Sequence, residues 1–176
     1  SKINTEKLPA SPVPDKSRAS TFRMTEYEPP KEYPKEHFRR NVSAIKLLRR
    51  IEEENRYATP EEQEILSRYT GWGGLSDAFD DTKENWSEEY HELKGLLSKE
   101  EYASARESTL SAYYMPPVVI RSIYRALGRM GFEKGNLLEP SAGTGKFFGM
   151  LPDEMRESRL YGVELDGITG RIAKKL

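Results

Sequence analysis

The sequence predicts an α/β fold in which a helical leader precedes the first strand–helix–strand–helix unit of a parallel sheet. Before residue 130, apolar residues recur at helical spacing between strong helix-start signals. From Asn136 onward, two short apolar runs are joined by a turn of small residues and a helix start, and the second run ends in carboxylates. Strands joined through a helix pair in parallel, and two strands do not form a stable sheet alone. The sheet is therefore predicted to be incomplete, or to be completed by strands from elsewhere.

Composition excludes several classes of site. The 176 residues suffice for one medium domain, and they include no Cys and two His. Disulfides and thiolate metal sites are therefore excluded, and no metal is predicted. No apolar run approaches the roughly 20 residues of a membrane helix, and the polar N-terminus does not resemble a signal peptide. We therefore expect a cytoplasmic protein without a membrane partner. Because the net charge is −1, contact with nucleic acid would need a local basic patch.

Residues 1–34 form the first predicted segment, a Pro-rich extended tail. Its prolines interrupt every possible helix, and apolar residues are sparse. The segment is predicted to be either a disordered linker or an extended tail pinned on a surface. In the second case the anchors are Phe22, Met24, Tyr27 and Tyr33.

Residues 35–107 form the predicted helical leader, which starts with an amphipathic helix at 41–57. Basic residues lie on or beside its polar face. They make either a solvated charged face or a patch that contacts the phosphates of a nucleic acid. The candidate nucleic-acid-binding residues are Arg39, Arg40, Lys46, Arg49 and Arg50.

Three further helices are predicted from their start signals. Thr59 and Glu62 form a capping box for a helix that runs to about Tyr69. Ser87 is predicted to cap the next helix, and the segment Ser98-Lys-Glu-Glu101 forms a second capping box.

Trp72 lies in the segment Gly71-Trp-Gly-Gly74, whose glycines predict a tight turn around a large ring. The ring is expected either to pack in the core or to line a cleft and stack on a nucleic-acid base. The second interpretation adds Trp72 to the candidate nucleic-acid-binding residues.

The segment 108–176 carries the predicted start of the sheet. A polar, aromatic stretch precedes Pro116, and a helix follows to about Met130, where Gly131 suits its end. Leu137 and Leu138 predict a short buried strand. A helix at 145–150, a strand at 160–164 and a helix at 167–176 follow.

Three kinds of ligand loop are compatible with small residues between a strand and a helix. A Walker A loop is disfavoured because Pro140 replaces its first Gly and Phe147 replaces the hydroxyl that would hold magnesium. A dinucleotide loop is disfavoured because Phe148 occupies the place of its third Gly. An S-adenosylmethionine loop is favoured, since Gly143 and Gly145 let the backbone approach a ligand closely.

The carboxylates at the strand ends suit the same cofactor. Glu139 is placed to attract its sulfonium and amino group, and Glu164 to accept bonds from its ribose hydroxyls. Asp166 is close enough to contribute at the adenine end. Lys146 is expected to be solvated. Helix capping or plain surface charge is the alternative for Glu139 and Glu164.

Three motifs carry a resemblance to a known family. The segment Leu138-Glu-Pro-Ser-Ala-Gly-Thr-Gly145 resembles the first motif of class I methyltransferases, specifically the amino-methylating DNA methylases. The segment Gly162-Val-Glu-Leu-Asp166 resembles their second motif, and Ser111-Ala-Tyr-Tyr-Met-Pro-Pro117 resembles the upstream motif of the N6-adenine group. The resemblance implies a Rossmann-like class I methyltransferase fold, S-adenosylmethionine as cofactor and DNA as substrate. The cofactor-binding residues it implies are Tyr113, Tyr114, Pro116, Glu139, Pro140, Ser141, Ala142, Gly143, Thr144, Gly145, Glu164 and Asp166.

The leader is similar to that of very large plasmid- and phage-type proteins in which a methylase-like domain precedes a helicase. The similarity rests on residues 41–51, 56–62 and 69–75. The Asn/Asp-Pro-Pro-Tyr/Phe motif, which grips the target amino group in that family, is not in this chain. The resemblance therefore implies the cofactor-binding N-terminal part of a DNA adenine-N6 methyltransferase, with no catalytic residue and no complete activity here. The alternatives are a non-catalytic DNA-binding or scaffold module, or a class I methyltransferase that acts on RNA or protein.

Overall fold

The computed structural model describes residues 22–24, 33–110 and 115–176, and within these ranges it combines helices with a small parallel sheet. Five helices come first and two short strands alternate with two further helices. The helices are α1 (Pro34–Glu53), α2 (Pro60–Ser67), α3 (Ser87–Leu96), α4 (Lys99–Ser108), α5 (Pro117–Arg129), α6 (Lys146–Gly149) and α7 (Gly167–Ala173), and the strands are β1 (Asn136–Glu139) and β2 (Arg159–Gly162). The mixed helix and strand content agrees with the predicted α/β class.

Helix α1 starts seven residues earlier than predicted, at Pro34. Proline suits a first helical turn, where its missing N–H has no intrahelical partner to bond, and the extended Tyr33 precedes it. The helix ends at Glu53, before the predicted Tyr57, and Asn55 adopts a left-handed φ of 47° just beyond it. Asparagine tolerates this conformation, which ends a helix in the way that glycine does.

The capping boxes predicted from the sequence are both confirmed. Thr59 with Glu62, and Ser98 with Glu101, exchange reciprocal side chain–backbone bonds at the starts of α2 and α4. The prediction for Ser87 was wrong: Trp86 occupies the N-cap position, and Ser87 is already the first helical residue, without a side-chain capping bond.

The main core lies within the helical leader and is rich in aromatic rings. Trp72 is 2% exposed, and its ring packs against Phe38, Tyr69 and Phe79 with centroid distances of 6.0, 6.4 and 5.5 Å. This burial corrects the assignment of Trp72 to nucleic-acid binding, since a ring enclosed by other rings has no free face for a base. The packing interpretation of Trp72 is the one that agrees with the structure.

The two strands pair in parallel, as predicted, with Asn136 opposite Arg159 and Glu139 opposite Gly162. The expectation that Leu137 and Leu138 form a buried strand was wrong for Leu138, which is 66% exposed, whereas Leu137 is half-buried. All of β2 is exposed. Tyr161, which pairs with Leu138, is 48% exposed, so one face of the sheet is bare among the described residues. A sequence of apolar residues predicts burial only where a second layer covers them.

Strand β2 ends at Gly162, two residues before the predicted end, because its partner strand turns away at Pro140. The backbone bonds continue into the turn: Val163 donates to the Glu139 carbonyl, and the Val163 carbonyl accepts from Ala142, both at 2.9 Å. A Cβ on Gly162 would lie 3.1 Å from both the Ala142 and the Phe148 side chains. Gly162 therefore allows the turn and α6 to pack closely on β2.

The last helix joins the two predicted parts of the chain. Ile168 and Ile172 on α7 belong to the aromatic core of the leader, although they follow the sheet in sequence. The Gln63 amide donates to the Lys175 carbonyl at 3.0 Å, which ties α2 to the residues after α7. The segments 35–107 and 108–176 thus share one core, and a smaller cluster around Ile120 and Tyr124 packs beneath the sheet.

Residues 22–24 lie against the ends of α6 and α7. Phe22 donates to the Leu176 carbonyl at 2.6 Å, and Met24 donates to the Gly149 carbonyl at 3.2 Å. These contacts agree with a tail pinned at Phe22 and Met24. Tyr33 is 76% exposed and is not an anchor, and Tyr27 lies outside the described residues.

Candidate functional site

A cavity of about 480 Å³ lies where the helical leader faces the turn between β1 and α6. The turn contributes Glu139, Ser141, Ala142, Gly143 and Thr144 to its wall. This volume falls within the roughly 300–1,000 Å³ of small-molecule sites in proteins.

The turn owes its shape to two glycines in the left-handed region. Gly143 has a φ of 56° and Gly145 a φ of 82°, a conformation that costs side-chain-bearing residues energy. The Gly145 N–H donates to the Ala142 carbonyl at 2.9 Å and closes the turn. A Cβ on Gly145 would meet no atom within 4 Å, so the positive φ, and not a steric contact, is what favours glycine there.

Glu164 holds the turn against the end of β2. One of its carboxylate oxygens accepts from the Gly143 N–H and the other from the Asp166 N–H, both at 2.8 Å. A carboxylate has about four acceptor positions, so two remain for hydroxyl groups of a ligand. Glu164 therefore fixes the loop and keeps acceptor capacity at the cavity wall.

The other two predicted carboxylates, Glu139 and Asp166, differ in their hydrogen-bond partners. Glu139 accepts from the Ser141 N–H at 3.2 Å and faces the cavity. Asp166 is the N-cap of α7: it accepts from the Thr169 N–H at 2.8 Å, and its second oxygen accepts from the Ser104 hydroxyl at 3.1 Å. Asp166 lines the cavity, but its main contacts position helices.

Thr144 and Lys146 are two of the residues with donor groups that line the cavity. Thr144 is 3% exposed, and its hydroxyl has no hydrogen-bond partner within the described ranges. Lys146 was expected to be solvated, but it is half-buried and lines the cavity. Burial, together with the nearby Arg40 guanidinium, lowers the pKa of Lys146 below its ordinary value.

Three of the other residues that were predicted to bind the cofactor do not line the cavity. Pro116 and Pro140 are exposed and are not among the residues that line the cavity. Gly145 is not among them either, and its contribution is the backbone bond that closes the turn. Pro116 is the N-cap of α5, so its contribution is to the start of that helix. Tyr113 and Tyr114 lie outside the described residues.

Sequence reasoning missed the wall that the leader provides. Tyr69, Gly71, Ser104, Glu107 and Ser108 line the cavity opposite the turn. Nothing in the sequence around these residues matches a ligand-binding motif. The one indication was Gly71, which opens the glycine-rich turn and has a φ of 68°.

A buried polar residue of α1 positions part of that wall. Asn41 is fully buried; its amide donates to the Gly71 carbonyl, and its oxygen accepts from the Thr70 N–H at 3.2 Å. Helix α1 therefore also holds the loop that faces the turn between β1 and α6.

The basic residues of α1 mostly have acidic partners. Lys46 pairs with Glu92 at 2.6 Å, and Arg49 pairs with Glu101 at 2.8 Å. Arg50 lies 3.5 Å from Glu62, and the Arg40 guanidinium donates to Thr70 Oγ1 at 3.0 Å. Arg39 is exposed. Most of the predicted patch is thus a surface of mixed charge, which attracts phosphates less than unpaired cations would.

The residues present fit an S-adenosylmethionine-sized ligand. Its ribose hydroxyls need acceptors, which Glu164 retains, and its positive sulfonium and amino groups suit Glu139 and Glu107. The rings of Tyr69 and Phe147 provide apolar surface in the same cavity.

Across 22–24, 33–110 and 115–176, no helix is long and apolar enough to cross a bilayer. The same ranges contain no group of three or more His, Cys, Asp or Glu side chains arranged to hold a metal ion.

Comparison with curated proteins finds a similarity to a phage protein. Over 136 residues the chain is 26% identical to the "Defense against restriction protein B" of Escherichia phage P1. The matched residues make up 77% of this chain and 4% of the phage protein. The chain thus matches a small part of that relative. No family model matches the chain, and no solved structure matches it.

Proposed function

We propose that this chain is the S-adenosylmethionine-binding N-terminal portion of a DNA adenine-N6 methyltransferase, fused in the full protein to a helicase. The observation that carries the proposal is the turn from Glu139 to Gly145, held open over a cavity by the bond between Glu164 and the Gly143 N–H. The motif resemblance supplies the family, and the geometry is compatible with it.

The charge of the cavity wall supports an adenosyl sulfonium rather than a nucleoside triphosphate. Four carboxylates line the cavity, from Glu107, Glu139, Glu164 and Asp166, against the single cation of Lys146 among the described lining residues. A triphosphate would bring several negative charges close to these carboxylates, and like charges repel most strongly where water is scarce. A ligand with a sulfonium and an ammonium group would instead be attracted.

DNA as the substrate class rests on the resemblance and on the name of the similar phage protein, which concerns defence against restriction. The chain does not contain the polar clamp that methyl transfer to an exocyclic amine requires. The proposed role of this portion is therefore to bind and orient the cofactor.

Isothermal titration tests the proposal. S-adenosylmethionine should bind the chain, whereas ATP should not. Gly143→Asp should abolish cofactor binding, because the new carboxylate would face Glu164 across the turn and enter the cavity. Gly167→Ala, at an open helical position beyond the cavity, is the matched control and should bind as the wild type does. Absence of binding to a folded chain, or tighter binding of ATP, contradicts the proposal.

A second candidate is a non-catalytic DNA-binding or scaffold module of a mobile-element protein, which the similarity to a phage protein favours. It would use α1, where Arg39 is exposed and Lys46 is 57% exposed despite its ion pair. This candidate predicts that duplex DNA binds in a salt-dependent manner and that Arg39→Gln with Lys46→Gln removes most of the affinity. DNA affinity that is unchanged in this double variant contradicts the candidate.

A further inference from the structure

The outward side of α5 carries a second basic surface, distinct from that of α1. The chain contains 29 Asp and Glu residues, yet none lies between Glu107 and Glu133, the stretch that includes all of α5. The only charged residues of this stretch are Arg121, Arg125 and Arg129, which follow one another at intervals of four. Residues four apart are neighbours on a helix surface, so the three cations form one row.

The packing of α5 fixes which side of the helix faces outward. Ile120 and Tyr124 are 1% and 2% exposed and belong to the cluster beneath the sheet. Arg125 and Arg129 are exposed, and Arg121 is half-buried. Within the part of the chain that the structure describes, neither Arg125 nor Arg129 forms an ion pair or a side-chain hydrogen bond. The row therefore ends in two exposed cations that the described protein does not neutralise.

The position of these cations within α5 accounts for only one of them. A helix C-terminus attracts positive charge, which explains Arg129 in the last turn. Arg125 lies one turn earlier, where that attraction has faded. On α1, in contrast, Lys46 and Arg49 have acidic partners at 2.6 and 2.8 Å. The cations of α5 are thus better placed than those of α1 to bind an external anion.

The chemistry of this surface fits the phosphate backbone of double-stranded nucleic acid. Arginine binds phosphate through two parallel hydrogen bonds, and a duplex carries one negative charge per about 1.7 Å of its axis. Ser122 and Ala126, which are exposed beside the arginines, are small, so a broad surface can approach the guanidinium groups. Tyr124, the aromatic residue of α5, is buried, so the helix offers no ring on which an unpaired base could stack.

Two other anionic partners agree less well with the surface. A membrane surface would bind the apolar side of an amphipathic helix, and here Ile120 and Tyr124 are already buried in the protein. A protein partner would be held by apolar anchors clustered among the cations. The exposed Val118 and Val119 lie about 9–10 Å along the helix axis from Arg125 and form no such cluster with it.

We propose that α5 binds the phosphates of double-stranded nucleic acid through Arg125 and Arg129, without reading the base sequence. This surface is independent of the cofactor cavity, since neither arginine lines it. It also places the contact on α5, where the exposed cations are unpaired among the described residues, and not on α1.

Fluorescence anisotropy of a labelled DNA duplex, titrated with the chain at several salt concentrations, tests the surface. The wild type should bind two duplexes of unrelated sequence equally, and binding should weaken with salt. Arg125→Gln with Arg129→Gln removes two phosphate contacts, so the slope of log affinity against log salt should fall by about two. At about 50 mM salt the affinity of this double variant should be lower by about tenfold or more.

Two control variants separate the contact from helix stability and from net charge. Arg125→Lys with Arg129→Lys keeps both charges and should bind within a few-fold of the wild type. Arg159→Gln removes one exposed arginine elsewhere. Leu137 packs against the cluster that contains α5, and Arg159 lies on the opposite face of the sheet because side chains alternate along strands. This variant should bind the duplex as the wild type does.

Four results would overturn the proposal. One is a folded wild type that does not bind the duplex at about 50 mM salt, and another is tighter binding of a single strand of the same length. A third is that Arg39→Gln with Lys46→Gln removes the affinity while the α5 glutamine variant binds as the wild type does, which would assign the contact to α1. The fourth is that the α5 glutamine variant loses binding to phosphatidylserine vesicles but keeps its affinity for the duplex.

Discussion

The left-handed conformation of Gly145 predicts that Gly145→Ala destabilises the protein although the new methyl group meets no atom. Gly145 has a φ of 82° and a ψ of 21°, and a Cβ built there has no neighbour within 4 Å. Because a steric clash is absent, the cost should equal that of holding an L residue in the left-handed region. That cost is about 1–2 kcal/mol.

Two further variants isolate the backbone as the cause. Gly167→Ala also places a methyl group in open space, but at the first residue of α7, without a positive φ. Because alanine favours a helix over glycine, it should be neutral or stabilising by up to about 1 kcal/mol. Gly145→Asn should cost less than Gly145→Ala, because asparagine tolerates the left-handed region better than alanine does.

Urea unfolding followed by tryptophan fluorescence measures these differences. Trp72 and Trp86 are both buried in the aromatic core, which also contains Ile168 and Ile172 of α7. Their emission therefore reports the unfolding of the core that contains α7, the helix that follows the turn and β2 in the chain. If Gly145→Ala and Gly167→Ala differ by less than about 0.5 kcal/mol, the argument from backbone conformation is wrong.

Three further predictions follow from individual contacts. Glu164→Gln leaves one acceptor oxygen for two N–H donors, including that of Gly143, so the free energy of unfolding should fall by about 1–3 kcal/mol; an unchanged urea midpoint contradicts this. Tyr124→Phe removes a partly buried 2.7 Å bond to the Phe147 carbonyl and should lower the free energy of unfolding by about 1–2 kcal/mol, whereas wild-type stability would show that the bond contributes nothing. Bonds from Arg56 lower the pKa of Glu62 from 4.5 to about 2. Because the folded-state pKa is depressed, this stabilisation is present above pH 4.5 and is lost as the pH falls towards 2; Glu62→Gln should flatten the decline in thermal midpoint over that range, and an identical acid profile would contradict the assignment.

Features set by neighbouring residues could be predicted from the sequence. The capping boxes at Thr59 and Ser98 depend on contacts three residues apart, so the local pattern sufficed. The parallel pairing of the strands follows from the intervening helix, which leaves no short connection. The contribution of Glu139 and Glu164 to one cavity follows from the parallel pairing, because the carboxyl ends of adjacent parallel strands meet.

Features set by distant packing could not be predicted. The burial of Leu138 depends on a layer that its own sequence does not specify, and the residue is exposed. The far wall of the cavity is built by Gly71 and Ser104, which are brought there by Asn41 and by the bond from Ser104 to Asp166. No local pattern joins residues that lie about 30 and 60 positions apart in the chain.

The most direct test of the cofactor site is an amide NMR titration of the chain with S-adenosylmethionine, which detects even weak binding at individual residues. We predict that the largest shift changes fall on the amides of Gly143, Gly145 and Glu164, with smaller changes at Gly71 across the cavity. Changes confined to the amides of α1, or no change at millimolar ligand with the fold intact, would contradict the claim that this turn and the end of β2 form a cofactor site.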